Sequence, residues 1–162
     1  MAKIRVAFNG MGRIGKNVMR VIVEKFNDKI EIVAGNDLVP AKEIAQGLPK
    51  DSLFGSFPVE VSLVSDNVIK VGDHTITVYA EKDANNIKWA AHNVDVVFEC
   101  TGFYLTTEKA QAHINAGAKR VIVSAPCNDA TKTVVLGVNH TDINADDRII
   151  SNASCTTNCL AP

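Results

Sequence analysis

The sequence has few cysteines, no long apolar run and almost no net charge, and each of these absences excludes a class of protein. Four cysteines in 162 residues are too sparse for a disulfide-built scaffold, and none has a histidine at zinc-finger spacing. No apolar stretch approaches the roughly 18 residues that a membrane-spanning helix needs. A net charge of -1 gives no general attraction to nucleic acid or to an anionic membrane. We therefore expect no metal site, no nucleic-acid partner and no membrane association.

The amino-terminal segment also lacks the charged region, long apolar core and cleavage site of a secretory signal. We therefore expect a cytoplasmic protein. The remaining composition, 46% hydrophobic and 22% charged, is that of an ordinary globular protein. The length suffices for one domain with a sizeable core.

Short apolar segments alternating with helical patterns predict an α/β fold. An apolar strand over residues 4–8 precedes a glycine cluster, a helix whose apolar residues recur at helical spacing, and a second strand over 30–34. This is the order of a βαβ unit. The same rhythm returns later, with a helix over 106–116 that Thr106 caps and Gly117 ends. Further strands are predicted over 94–98, 120–124, 133–138 and 148–151.

The middle of the chain has a different pattern. Three alternating segments, 59–63, 68–71 and 75–79, are separated by polar turns and predict a small antiparallel insertion. Together these patterns predict a doubly wound, mostly parallel Rossmann sheet.

A glycine-rich loop, Gly10-Met11-Gly12-Arg13-Ile14-Gly15, follows the first strand and opens the first helix. In that context Gly10 permits the tight turn, Gly12 lets a pyrophosphate approach the backbone, and Gly15 lets helix and strand pack closely. Asp37 ends the next strand, 22 residues after Gly15, where a carboxylate binds ribose hydroxyls and repels a 2′-phosphate. The pattern favours NAD over NADP. Each feature also has an alternative interpretation without a ligand. The glycine-rich loop would then be a strand-to-helix turn that binds nothing, and Asp37 would be an ordinary residue at a strand end.

A candidate nucleophile follows the last predicted strand. Ser154 is a good N-cap, so a helix starting there places Cys155 in its first turn, where the helix end stabilises a thiolate. Cys159 lies one turn further on, and a metal pair is the competing interpretation, which lacks further ligands nearby. The residues alone leave open whether Cys155 is catalytic or a structural thiol. We expect the other three cysteines to be small buried hydrophobes: Cys100, Cys127 and Cys159.

The sequence resembles the glyceraldehyde-3-phosphate dehydrogenase family. SNASCTTNCLAP at 151–162 is similar to the family's active-site signature, and FNGMGRIGK and GNDL are similar to its phosphate loop and ribose site. LPKDSLFGSF, EKDANNIKW, ECTGFY, AGAKRVIVSAP and VLGVNH follow in the family's order. The resemblance covers the whole chain.

The resemblance implies a role for each matching residue. Cys155 would be the nucleophile, and Ser154 and Thr156 would help to hold the substrate or the attacking phosphate. The implied cofactor contacts with NAD are made by Gly10, Gly12, Arg13, Ile14, Gly15, Asn36, Asp37, Lys82, Thr101, Gly102 and Ser124. Two positions depart from the family: Lys82 replaces a common arginine, and Cys100 replaces a common serine. Lysine keeps the charge but loses the planar fork.

The implied reaction oxidises glyceraldehyde 3-phosphate to 1,3-bisphosphoglycerate with NAD and inorganic phosphate, through a cysteine thioester. The family forms homotetramers, and its chain is about twice as long, with the catalytic histidine in the second half. None of the four histidines here matches that role, and we expect them to be surface or structural residues: His74, His92, His113 and His140. We therefore expect residues 1–150 to form the NAD-binding domain, residues 151–162 to begin the catalytic domain, and this chain alone to be inactive.

Three alternatives stay open. Erythrose-4-phosphate dehydrogenase shares this chemistry and resembles a sister family. Aspartate-semialdehyde dehydrogenase also joins a dinucleotide loop to a catalytic cysteine but lacks the SNASCTTNC string. A non-catalytic nucleotide-binding module belongs to a different class, and it has no reason to contain an activated thiol at Cys155.

Overall fold

The computed structural model describes residues 2–162, and its main feature is an eight-stranded sheet. The strands, including a separate two-stranded hairpin, are β1 (Ile4–Asn9), β2 (Ile30–Asn36), β3 (Lys50–Asp51), β4 (Gly55–Ser56), β5 (Val61–Ser65), β6 (Val68–Val71), β7 (His74–Tyr79), β8 (Val96–Glu99), β9 (Arg120–Val123) and β10 (Ile149–Ser151). The helices are α1 (Arg13–Lys25), α2 (Ala41–Gly47), α3 (Thr107–Asn115) and α4 (Cys155–Leu160).

The strand order in the main sheet is β10-β9-β8-β1-β2-β7-β6-β5. The six strands from β10 to β7 are parallel, whereas β5 and β6 are antiparallel to their neighbours. The predicted doubly wound, mostly parallel sheet with an antiparallel insertion is confirmed. The insertion continues the main sheet, because β7 pairs in parallel with β2 at Ala34 and Thr77.

The strand order reverses at β1. From β1 the chain moves to β2 on one side, and it later places β8 on the other side. In open parallel sheets a ligand binds at such a reversal, outside the carboxyl ends of the strands. Asn9, Asn36 and Glu99 are the last residues of these three strands, so they mark the expected position of a site.

The hydrophobic core covers both faces of this sheet. On one face Phe8 and Ile32 pack with Met19 of α1, and all three are fully buried. On the other face Ala7 and Val97 pack with Trp89, which is also fully buried. Because both faces are covered, the central strands carry continuous apolar runs rather than alternating ones. Packing on both faces holds the carboxyl ends of β1, β2 and β8 in register.

The prediction of a strand over residues 133–138 is wrong. Only Thr133 makes a bridge, to Ser151 at the edge of the sheet. Gly137 then turns the chain with a φ of 86°. The Asn139 side chain accepts a hydrogen bond from the Val135 N–H and donates one to the Thr133 carbonyl oxygen. The segment forms a turn because these local bonds replace the bonds of a ladder.

The other predicted elements are present with shifted ends, and two elements were missed. The predicted strands 59–63 and 94–98 begin two residues later, at Val61 and Val96. Helix α2 and the β3–β4 hairpin were not predicted from the sequence, since both are too short to establish a hydrophobic period. Helix α3 has its predicted N-cap, with Thr106 Oγ1 accepting a hydrogen bond from the Lys109 N–H at 3.2 Å.

None of the helices within residues 2–162 combines the length and hydropathy that a membrane crossing requires.

Candidate functional site

A groove of about 560 Å³ lies at the carboxyl ends of β1, β2, β7 and β8, where the strand order reverses. It unites four loops that are far apart in the sequence. Its lining residues are Asn9, Gly10, Gly12, Asn36, Asp37, Leu38, Glu81, Lys82, Cys100, Thr101, Phe103 and Tyr104. Six of the predicted cofactor residues are among them.

Two positions of the phosphate loop must be glycine because neighbouring backbone atoms leave no room for a Cβ. Gly10 has a φ of 90°, and a Cβ there would lie 2.9 Å from the Cys100 carbonyl carbon. A Cβ on Gly15 would lie 2.1 Å from the Gly10 carbonyl oxygen, so helix α1 can pack against the loop only without one. Gly12 differs, because a Cβ there would meet nothing within 4 Å. The space above Gly12 is therefore open to a ligand.

Helix α1 starts at this loop without a side-chain cap. Gly12 is the N-cap residue, and no side chain bonds to the first turn. The first helical bond runs from the Lys16 N–H to the Gly12 carbonyl oxygen. Within residues 2–162, no hydrogen bond engages the N–H groups of Gly12, Arg13 or Ile14. Free N–H groups and the positive end of the helix dipole are suited to an anionic group.

Asp37 stands beside this helix start, at the end of β2. Its Oδ2 atom accepts a 2.7 Å hydrogen bond from the Met11 N–H, and its Oδ1 atom accepts one of 3.0 Å from the Val39 N–H. The carboxylate keeps further lone pairs for hydroxyl donors. Lys82 lines the same groove from the loop after β7.

Two groove residues at the ends of β1 and β2 are joined below the surface. Asn36 Nδ2 donates to Asn9 Oδ1 at 2.8 Å, and both side chains are buried. Asn36 was predicted as a site residue through the family resemblance, whereas Asn9 was not predicted. A polar residue ending an otherwise buried apolar strand is the signal that could have found Asn9.

The loop after β8 forms the opposite wall. Thr101 Oγ1 accepts a 3.1 Å hydrogen bond from the Phe103 N–H, around Gly102 with its φ of 79°. Phe103 is 77% exposed, so it offers an aromatic face to the groove. Leu38, Phe103 and Tyr104 were not predicted as site residues. Apolar residues in loops have no pattern that distinguishes them in the sequence.

Five predicted cofactor residues lie outside the groove lining: Arg13, Ile14, Gly15, Gly102 and Ser124. Ile14 is half exposed on α1. Arg13 makes a 2.5 Å ion pair with Asp51 and lies over the Phe54 ring, 5.9 Å from its centroid. Its guanidinium therefore points to the β3–β4 hairpin, and only its backbone faces the loop. Ser124 directly follows β9, and its side chain lowers the pKa of the Cys100 thiol by less than burial raises it. Burial raises the pKa of the Cys100 thiol to about 11.

The candidate nucleophile lies two strands away from the groove, after β10. Cys155 is the first residue of α4 and is exposed. Ser154 caps this helix, its Oγ accepting a 3.0 Å hydrogen bond from the Thr157 N–H, as predicted. Ala153 holds a φ of 57°, which is strained for a residue with a Cβ. Thr156 is exposed beside Cys155.

The prediction that Cys159 is a buried hydrophobe is wrong, since its side chain is exposed on α4. Helix α4 has six residues and none of them is buried. Cys100 and Cys127 are partly buried against the core, as predicted.

The four histidines lie elsewhere. His74 and His113 are buried, His92 hydrogen-bonds the Tyr79 hydroxyl, and His140 accepts a bond from the Gly137 N–H. No hydrogen bond or ion pair within residues 2–162 joins any of them to Cys155.

The reversal of strand order, the open phosphate loop and the acidic residue after β2 together define a dinucleotide-binding α/β domain. Comparison with known protein families also identifies a dinucleotide-binding domain. Residues 4–107 match the model of the family described as glyceraldehyde 3-phosphate dehydrogenase, NAD binding domain. This chain belongs to that family.

Individual relatives extend the match. The chain is 52% identical over 159 residues to a glyceraldehyde-3-phosphate dehydrogenase of Cereibacter sphaeroides, and 51% identical over 160 residues to one of Mycoplasma pneumoniae. A Pseudomonas aeruginosa relative of the same name is 46% identical over 160 residues. Each alignment covers 98% of this chain but only 47–48% of the relative. The chain therefore spans about half the length of the curated relatives that it matches.

Proposed function

We propose that the groove binds NAD, with the pyrophosphate at the start of α1 and the adenosine ribose at Asp37. The observation that carries this proposal is the uncapped start of α1 above an unobstructed Gly12, with the Asp37 carboxylate beside it. The free N–H groups match phosphate oxygens, and the carboxylate matches the ribose hydroxyls. A 2′-phosphate would meet the negative charge of Asp37, so the site favours NAD over NADP.

The remaining predicted cofactor residues have parts in this proposal. Thr101 forms part of one wall, and Gly102 beside it turns the loop with its positive φ. Asn36 supports the floor, and Lys82 contacts the adenine side. Arg13, Ile14 and Ser124 act through the backbone or through neighbours rather than by lining the groove. When bound, NAD supplies the hydride acceptor.

We infer that the whole protein is a phosphorylating aldehyde dehydrogenase that acts on glyceraldehyde 3-phosphate. The Cys155 thiolate attacks the aldehyde carbon to give a thiohemiacetal. NAD held in the groove would accept the hydride from that carbon, and loss of the hydroxyl proton to a base completes the thioester. An oxygen of inorganic phosphate attacks the thioester carbonyl, the thiolate leaves, and 1,3-bisphosphoglycerate is released. Ser154 and Thr156 flank Cys155 with hydroxyl donors for the substrate or phosphate. The name and identity of the relatives support this inference.

For the 162 residues taken alone we propose binding without turnover. Hydride transfer from the cysteine adduct needs a base to take the hydroxyl proton, and no histidine here contacts Cys155. We assign residues 1–150 to the NAD-binding domain and residues 151–162 to the start of the catalytic domain. In the whole protein we also propose a homotetramer and a cytoplasmic location. Erythrose-4-phosphate dehydrogenase is the second candidate, since the same cysteine chemistry serves its substrate.

Calorimetric titration of the folded chain with NAD and with NADP in one buffer tests the binding proposal. We expect NAD to bind and NADP to bind much more weakly. Equal affinities would contradict the role of Asp37, and absence of binding by either would refute the cofactor site. Turnover of glyceraldehyde 3-phosphate by this chain alone would refute the proposal of binding without catalysis.

A further inference from the structure

A buried polar cluster lies directly beneath the groove. It consists of Asn9, Asn36, Trp89, Glu99 and His113, which we term the Glu99 network, and each member is at most 5% exposed. Burying polar groups costs free energy unless each one is hydrogen-bonded. Every member has such a partner, and the partners connect the loops that line the groove.

The backbone determines the orientation of both amides in this network. The Glu81 N–H donates to Asn36 Oδ1 at 2.8 Å, and Asn36 Nδ2 donates to the Glu81 carbonyl oxygen at 2.9 Å. Asn36 Nδ2 also donates to Asn9 Oδ1 at 2.8 Å. Asn9 must therefore turn its Nδ2 atom toward Glu99, where it donates to Oε2 at 2.6 Å.

The indole determines the protonation of the buried imidazole. Trp89 Nε1 lies 3.1 Å from His113 Nδ1, and an indole N–H can only donate. His113 Nδ1 is therefore an acceptor without a proton. The proton is on Nε2, which donates to Glu99 Oε2 at 2.8 Å. His113 is thus a neutral donor rather than a cationic partner.

The other carboxylate oxygen holds the loop after β8. The Thr101 N–H donates to Glu99 Oε1 at 2.7 Å, and the Thr101 hydroxyl donates to the same oxygen. That hydroxyl in turn accepts from the Phe103 N–H. No lysine or arginine within residues 2–162 pairs with Glu99. Four neutral donors satisfy a buried carboxylate.

We propose that Glu99 is the positioning residue of the cofactor groove. Through Thr101 it holds the loop after β8, and through Asn9 and Asn36 it holds the ends of β1 and β2 and the loop after β7. Its fixed acceptors keep these walls at the spacing that the cofactor needs. This inference depends on the proposed function, namely that the groove binds NAD.

The geometry makes Glu99→Gln a sharp test. If the new amide nitrogen replaces Oε1, it meets the Thr101 N–H, which is also a donor. If it replaces Oε2, it meets donors on Asn9 and His113, and Trp89 prevents His113 from changing its tautomer. Either orientation places two donors face to face in a buried site. Glu60 is exposed and makes no side-chain hydrogen bond in the described residues, so Glu60→Gln is the matched control.

The experiment compares the full chain with these two variants at a temperature where circular dichroism shows all three to be folded. We expect amide hydrogen exchange at Thr101 and Glu81 to accelerate at least about tenfold in Glu99→Gln, with NAD binding weakened roughly ten- to hundredfold. Glu60→Gln should change neither. Adding Asn9→Asp to Glu99→Gln supplies an acceptor for the new amide, but the His113 Nε2–H still faces that amide, so the double variant should restore only part of the affinity.

Three results would overturn the proposal. One is a folded Glu99→Gln chain whose Thr101 and Glu81 amides exchange as slowly as before. Another is faster exchange with unchanged affinity for NAD, which leaves Glu99 a structural residue only. The third is a ¹⁵N spectrum of the unaltered chain showing the proton of His113 on Nδ1.

Two further measurements separate the possible failures. If Glu99→Gln does not fold, Thr101→Val removes the hydroxyl but keeps the amide, and it should weaken NAD binding several-fold. Unchanged affinity in that variant would count against the proposal. If the unaltered chain binds no NAD, the proposed function fails. The exchange rates and the His113 tautomer then still decide whether Glu99 holds the loops.

Discussion

The Asp37 carboxylate is tied to the phosphate loop, since its Oδ2 atom accepts a 2.7 Å hydrogen bond from the Met11 N–H. Its other oxygen accepts the Val39 N–H, so one side chain joins the loop after β1 to the loop after β2. Asp37 therefore has a structural role in addition to the proposed contact with ribose.

Asp37→Ala should weaken the binding of NAD and also of a 2′-deoxyadenosine analogue of NAD, because the phosphate loop loses its anchor. The loss for the analogue should be roughly threefold to tenfold, the effect of one hydrogen bond. The preference for NAD over NADP should narrow at the same time. Calorimetry with the three ligands measures both effects. Asp66→Ala, in an exposed turn, is the control. An unchanged affinity for the analogue would show that the tie to Met11 has no influence on binding.

Two glycine substitutions should separate folding from binding. Gly15→Ala places a methyl group 2.1 Å from the Gly10 carbonyl oxygen, so α1 must shift and the chain should lose about 1–3 kcal/mol of stability. Gly12→Ala meets no atom within 4 Å and should change stability by less than about 1 kcal/mol, yet it should block the pyrophosphate. Urea denaturation and NAD titration measure the two effects. Gly47→Ala, also free of contacts, controls for glycine replacement itself. Strong NAD binding by Gly12→Ala would place the pyrophosphate elsewhere.

The cysteines should differ in their reaction with iodoacetamide. At pH 7.5 the exposed Cys155 and Cys159 should react well before Cys100, which is partly buried. Because the pKa of Cys100 is raised to about 11, its rate should rise nearly tenfold per pH unit up to that value. Peptide mass spectrometry gives the rate at each cysteine, and Cys100→Ser identifies its peptide. Since Cys100 lines the groove, saturating NAD should slow its modification further. Fast labelling of Cys100 at pH 7.5 would contradict its burial.

His74 should make the fold sensitive to acid. Its Nδ1 atom accepts the Ile32 N–H at 3.2 Å, and its Nε2 atom has no partner in the buried site. Burial lowers the pKa of His74, with Lys3 lowering it further and Asp73 and Glu31 opposing that effect. A lowered folded-state pKa means that stability is complete above the unfolded value near 6.5 and is lost as the pH falls below it.

The measurement for this prediction is urea denaturation at pH 7.5 and pH 5. The unaltered chain should lose more stability between these two pH values than His74→Asn does, because the ionisable group is absent from the variant. His140→Asn is the control because His140 is exposed at the start of a short 3₁₀ helix. Identical pH dependence in all three chains would show that His74 does not titrate over this range.

The fold class was predictable because its signals are local. An apolar strand, a glycine loop, an amphipathic helix and a second strand lie within 36 residues, so β1, α1 and β2 follow from the sequence. The prediction of a strand over 133–138 was wrong, and the reason is also a local signal. The Asn139 side chain and Gly137 favour a turn there, although the residues before them are apolar.

The sequence by itself determined the βαβ unit, the phosphate loop, Asp37 and the position of Cys155 at a helix start, since each depends on neighbouring residues. Only the tertiary structure decided that Asn9, Asn36, Thr101 and Lys82 meet in one groove, and that Glu99 joins three of them from below. The tertiary structure also directed the Arg13 side chain to Asp51 and exposed Cys159. These outcomes depend on the order of strands in the sheet, and no local pattern encodes which strand ends become neighbours.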